Sequence, residues 1–181
     1  MKHVNRFRDL ILDHQIVGQK IRINEHYRPI AEALCKKHEE LKHVPVNNIL
    51  FLDDVETEKK SKGKYVQAEI GKIPAKWSEV IEQTTGFYFE LVLTVYRENT
   101  SHLSREQKIA LIYHELRHIR DTAKGLVLVG HDIEDWQEMH DKLGPDWSST
   151  HADIPDLLDA EFDWSKFDPP PGLFTGLKAV K

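Results

Sequence analysis

Residues 104–119, SREQKIALIYHELRHI, decide how the rest of the chain is read. Ser104 and Gln107 have the spacing of a capping box, the signature of a helix start. Ile109, Ile112, Tyr113, Leu116 and Ile119 then recur at helical spacing and make one apolar stripe. The spacing predicts a helix that opens at Ser104 and stops near Gly125. His114 and His118 stand four positions apart, on one helical face and nearly opposite that stripe at 100° per residue. The helix can thus anchor one side in a core and turn two imidazoles toward a cleft. Such a pair suits two ligands of one tetrahedral zinc, with Zn–N distances of roughly 2.0–2.1 Å. Glu115, next to the first imidazole, is placed to take a proton from a metal-activated water.

A catalytic zinc usually takes three protein ligands and keeps one position open. His131 is the best third candidate. It follows His118 by thirteen positions, after a stretch with Gly125 and Gly130 at its ends. Asp132 reads as the N-cap of a further helix with apolar positions at Ile133, Trp136, Met139 and Leu143, ended by Gly144 and Pro145. Asp132 and Glu134 are reserve oxygen ligands. His102 and His151 have no spacing argument. Tyr96, Arg97 and His102 precede the helix and are candidates to steady a developing oxyanion. Asp121 and Asp135 are candidates to orient the ligand rings.

The pentad His114-Glu115-Leu116-Arg117-His118, a Gly-bounded stretch, and then His131-Asp132 with Trp136 opening a helix resemble the putative phage metallopeptidase family. The pattern is more distantly similar to the SprT-like zinc proteases, although Asp132 stands where that pattern has Gly. The resemblance covers roughly Arg28 to Leu143. It implies a zincin-like peptidase fold, zinc on His114, His118 and His131, and Glu115 as general base. It implies a protein or peptide substrate without saying which.

The chain has 181 residues, 40% hydrophobic and 30% charged, enough for one domain with a core. A net charge of −5 argues against sequence-independent nucleic-acid binding, which needs a basic face. Glu56–Lys64 holds four lysines around Gly63 and reads as an exposed turn between strands. Cys35 is the one cysteine, so no internal disulfide is expected, and its apolar neighbours predict a buried inert thiol. No signal peptide and no membrane-spanning run is evident, which predicts a soluble cytoplasmic protein. Nothing in the sequence fixes an oligomeric state.

Elsewhere, Phe7–Leu12 suggests a short helix, and Pro29 opens a helix that runs to Leu41. Ile49–Leu52 reads as a buried strand, and Tyr65–Ile70 and Phe87–Val95 as alternating strands. Trp77–Gln83 is either a short helix or an irregular crossover. The order is helix, three strands, metal helix, second site helix: an α+β, zincin-like plan with a small twisted three-stranded sheet, or one slightly larger, under the HExxH helix. Residues 1–145 form the expected domain, with 1–24 an N-terminal extension. Residues 146–181, which include Pro169–Pro171, form a tail that docks on the domain or is partly flexible. The strand over 87–95, or a neighbour, could offer a free edge to a peptide. The chemistry expected is peptide-bond hydrolysis. Hydrolysis of a non-protein amide bond, and a zinc-organised binding protein without catalysis, are the alternatives.

Overall fold

The apolar run at Ile49 becomes strand β2 (Ile49–Asp54), and the run before the HExxH helix becomes β6 (Leu91–Tyr96). In the computed structural model, which describes residues 20–123, 125–131, 135–148 and 153–165, these two strands lie side by side in parallel. β1 (Ile21–Ile23) pairs antiparallel with β2, and β5 (Ala68–Lys72) pairs antiparallel with β6. The result is one four-stranded mixed sheet in the order β1-β2-β6-β5. It has one strand more than the three read from the sequence, because β1 falls within residues assigned to the N-terminal extension. β6 begins only at Leu91: Phe87 and Phe89 precede it and stack with ring centroids 6.4 Å apart. β6 lies between two strands, so the free edge on that side belongs to β5.

Alternation sorts the sheet into two faces. Ile49, Phe51, Leu91, Leu93, Val95 and Ala68 are buried on one face. Against this core pack α1 (Tyr27–Lys37), through Ala31 and Leu34, and α4 (Arg105–Leu116). Pro29 is the third residue of α1, not the first, and Glu39–Leu41 makes a separate 3₁₀ turn. Residues 75–85 do form a helix, α2 (Ala75–Thr85), and a single turn, α3 (Arg97–Thr100), leads from β6 toward α4. The lysine-rich stretch is a hairpin of β3 (Lys60–Ser61) and β4 (Lys64–Tyr65), as expected. Lys62 and Gly63 at its turn have φ of 49° and 81°, the left-handed pair that a two-residue hairpin loop demands.

Two expectations around the HExxH helix need correction. The capping box at Ser104 forms with both of its hydrogen bonds, Gln107 N–H to Ser104 Oγ at 3.1 Å and Ser104 N–H to Gln107 Oε1 at 2.8 Å. But α4 ends at Leu116, well before Gly125. Ile119, read as part of the helical stripe, starts strand β7 (Ile119–Thr122), which pairs with β8 (Gly125–Leu128). The Gly-bounded stretch is therefore half of a hairpin. Likewise, α5 (Gln137–Leu143) starts after Trp136, and the proposed cap Asp132, with Ile133, lies outside the described residues. Trp136, Met139 and Leu143 are buried as their spacing predicts, and Gly144 ends the helix. Beyond it, Trp147, Ile154 and Leu157 enter the core, and Lys37 Nζ donates to the Asp159 carbonyl. The short helix at Phe7–Leu12 and the prolines at 169–171 lie outside the described residues. Among the described residues no helix is long and apolar enough to cross a membrane. Cys35 is half-buried, and burial beside Glu32 pushes its thiol up to about 11, which keeps it protonated and unreactive.

Candidate metal centre

The last turn of α4 tightens before the chain leaves for β7. His118 N–H donates to the Glu115 carbonyl at 3.2 Å, three residues back. The Trp136 indole N–H takes the His114 carbonyl at 3.0 Å, one of the acceptors a helix end leaves over. His118 therefore sits just past the helix, and its ring still faces that of His114, with centroids 5.3 Å apart.

α4 is not the two-sided helix its stripe suggests. Gln107 and every residue from Ile109 to Leu116 are buried, His114 and Glu115 among them. The face opposite the apolar stripe is covered by Trp136 and Trp147. The Trp136 ring stands 6.3, 5.0 and 5.4 Å from the rings of His114, His118 and His131. Trp147 stands 6.0 Å from His114. Arg117 lies over the Trp136 ring at 4.8 Å and pairs with Glu138 at 3.1 Å. No spacing in the sequence announced these two tryptophans as the wall of the site.

Three imidazoles converge. The ligand-capable nitrogens of His114, His118 and His131 all lie within 4.8 Å of one another. His118 Nδ1 is 2.7 Å from the Val129 carbonyl, which fixes its proton there and leaves Nε2 with its lone pair. His114 Nδ1 lies 2.9 Å from Asp135 Oδ1, though off the straight hydrogen-bond line. Its other nitrogen, Nε2, is 2.9 Å from His131 Nε2. Two such lone pairs repel unless a cation or a proton lies between them. Two ligands of a tetrahedral zinc would stand roughly 3.3 Å apart. The donor set, three imidazoles of which His118 has its second nitrogen on a carbonyl and His114 has its second nitrogen beside a carboxylate, fits a divalent metal such as zinc.

Of the two carboxylates read as ring-orienting candidates, Asp135 reaches a candidate ligand. Its Oδ1 also accepts from Trp136 N–H at 2.6 Å, and its Oδ2 accepts from the Trp147 indole at 2.7 Å. Burial pushes its pKa up, but the contacts from His114, Trp147 and Trp136 outweigh that and hold it near 2. Gln107, the capping residue, donates to the Trp147 carbonyl at 3.0 Å, so the start of α4 is tied to the same wall. Asp121 is exposed on β7.

Glu115 is buried beside this cluster, and burial raises its carboxyl to about 7; His114 and the Ile70 N–H, which donates to it, pull the other way. The free-edge strand β5 thus touches the candidate general base directly. Of the oxyanion candidates, Tyr96 donates its hydroxyl to Glu69, Arg97 lies 3.7 Å from Asp53, and His102 is exposed. Nothing in the structure selects one of them. The reserve ligands Asp132 and Glu134, and His151, lie outside the described residues.

No curated protein and no solved structure matches this chain. Residues 20–159, the stretch that carries the sheet, α4, the hairpin and the three imidazoles, match one family along their length, and the chain belongs to the putative phage metallopeptidase family.

Proposed function

We propose that this chain is a zinc-dependent peptidase in which His114, His118 and His131 hold the metal and Glu115 is the general base. The observation that carries the reading is the convergence of three imidazole nitrogens with a buried carboxylate beside them and a strand edge against that carboxylate. A zinc ion held there would supply Lewis-acid polarisation and a water acidic enough to react near neutral pH.

The chain's own residues do the rest. Glu115, a buried carboxylate beside the cluster, can accept a proton from water and return it to the leaving amine. Asp135 and the Val129 carbonyl hold two of the rings in fixed orientation. Trp136 and Trp147 exclude water from the back of the cluster, which strengthens every charge interaction inside it. The outward groups of β5 can align an extended peptide beside Glu115. The packing of α4 on a small mixed sheet also supports the zincin-like assignment, to which the SprT-like likeness adds only its motif.

The test is paired. Protein purified without added metal should carry about one zinc per chain and cleave an unfolded polypeptide. Glu115→Gln should keep the zinc and lose at least about 1000-fold in kcat/KM. Zinc-loaded protein that cleaves peptidoglycan but no polypeptide would move the reading to another amide bond. Loaded protein inert to both would leave a zinc-organised binding protein.

A further inference from the structure

The pairing registers leave two strand edges open toward the same place. In the β5–β6 pair, Tyr96 N–H bonds Gln67 O and Ile73 N–H bonds Glu90 O. Antiparallel pairs alternate between bonded and non-bonded positions, so residues 69 and 71 are turned toward β6. Ala68, Ile70 and Lys72 then present N–H and C=O to the free edge, and Ile70 spends its N–H on Glu115. The hairpin reads the same way. Val129 N–H bonds His118 O at 2.8 Å, so 120 pairs with 127 and 122 with 125 through hydrogen bonds. Ile119 and Asp121 on β7, and Leu126 and Leu128 on β8, turn their backbone groups outward. On the β7 side, His43 Nε2 sits 2.9 Å from the Ile119 carbonyl and covers that edge. On the β8 side, the Leu126 carbonyl accepts from Lys72 Nζ, which reaches over from β5.

Resting on the peptidase reading, we infer that the edges of β5 and β8 are the two walls of one slot. An extended substrate segment binds in it by backbone hydrogen bonds on both sides, and Lys72 bridges the slot when it is empty. Size agrees. Strands separated by one inserted strand lie roughly 9.6 Å apart, twice the usual spacing. A lysine stem of about 6 Å plus a hydrogen bond of about 2.8 Å spans nearly that distance. Chemistry agrees as well. An extended peptide shows alternate residues to its two edges, so one segment can satisfy β5 and β8 together. Both walls lead to the cluster, since β5 touches Glu115 and the hairpin carries the carbonyl that holds His118. Among the described residues, the outward amides of Ala68, Lys72, Leu126 and Leu128 pair with no other backbone segment. The hairpin between the second and third imidazoles is therefore a substrate wall as well as a spacer.

The test uses zinc-loaded, full-length Glu115→Gln protein and a blocked decapeptide chosen because the wild-type enzyme cleaves it. Amide hydrogen exchange should slow on both walls when the peptide is added, at Lys72 on β5 and at Leu126 and Leu128 on β8. N-methylation of single peptide amides should weaken binding about two- to ten-fold at successive residues near the scissile bond, in both alternate sets. Protection confined to β5, with one alternate set of amides tolerant of methylation, would overturn the slot and leave the peptidase standing. If the loaded wild type cleaves no peptide in a broad decapeptide library, the peptidase reading falls and the slot falls with it.

Discussion

His114 and His131 reach the same point from opposite kinds of structure. His114 rides a helix buried almost all round, with Asp135 at one nitrogen, Trp147 beside its ring and its carbonyl taken by Trp136. His131 is exposed, at the far end of a hairpin whose turn lies at the surface. One candidate ligand is placed by packing that the fold needs in any case. The other is delivered by a short local element. Metal affinity and fold stability should therefore be joined at His114 and separable at His131.

The largest expected effect breaks or keeps that contrast. His114→Ala and His131→Ala should both abolish tight zinc binding. In metal-free protein, His114→Ala should cost about 1–3 kcal/mol, because it opens a cavity under two indoles and removes the imidazole beside Asp135. His131→Ala should cost under about 0.5 kcal/mol, the usual range for an exposed side chain. Urea unfolding of both variants without metal measures the difference, and equal losses would erase it.

Acid should separate buried from exposed imidazoles in a second way. Burial, abetted by the neighbouring rings of His114 and His131 and partly offset by the Val129 carbonyl, holds His118 down to about 4. Burial likewise lowers His38, whose Nε2 lies 3.1 Å from the Leu157 carbonyl. In the unfolded chain both revert to about 6.5. The unfolded state then takes up protons first. Their contribution is complete above about pH 6.5 and is lost as pH falls through the folded values. The raised Glu115 carboxyl titrates the opposite way over the same range, so the test uses Glu115→Gln protein. Without metal, its melting temperature should decline below pH 6.5, and adding His38→Phe should flatten part of that decline. A profile unchanged from pH 7 to 4.5 would contradict both assignments.

The same contrast explains what could be read in the sequence. The start of α4 was legible because a capping box is local chemistry: Ser104 and Gln107 satisfy each other whatever surrounds them. The pentad was legible because side chains one turn apart must share a face. The end of α4 was not, because Ile119 fits a helical stripe and a strand equally well. Strand pairing and the distant Trp136 indole decided between them, and neither is encoded nearby. The burial of His114 was hidden for the same reason: its cover comes from residues 136 and 147. In the sheet, the alternation at Leu91–Val95 was visible, whereas β1 is three residues long and exists because β2 offers it a partner.

Trp147→Phe sharpens the buried side. It keeps the ring against His114 and removes the N–H that Asp135 Oδ2 accepts. The loss of one hydrogen bond to a charged group should cost about 1–2 kcal/mol of stability. It should also loosen Asp135 and lower zinc affinity a few-fold. Unchanged unfolding with unchanged affinity would mean that Asp135 is held well enough by the Trp136 amide alone.

The smallest effect tests the exposed side. Gly125 opens β8 with φ of +97°, a conformation that costs an L side chain strain, while an added Cβ would meet no atom within 4 Å. Gly125→Ala should therefore act through backbone strain alone, about 1 kcal/mol, taken up by the hairpin. The hairpin opens locally more easily than the core, so global unfolding should shift little. Zinc binding should weaken more, because the strained hairpin supplies the Val129 carbonyl that sets the His118 ring and leads directly to His131. Titration of the variant with zinc, beside its urea midpoint, compares the two. A fall in the midpoint without a fall in affinity would show that the hairpin is part of the stable core, and that the two candidate ligands differ less than their exposures suggest.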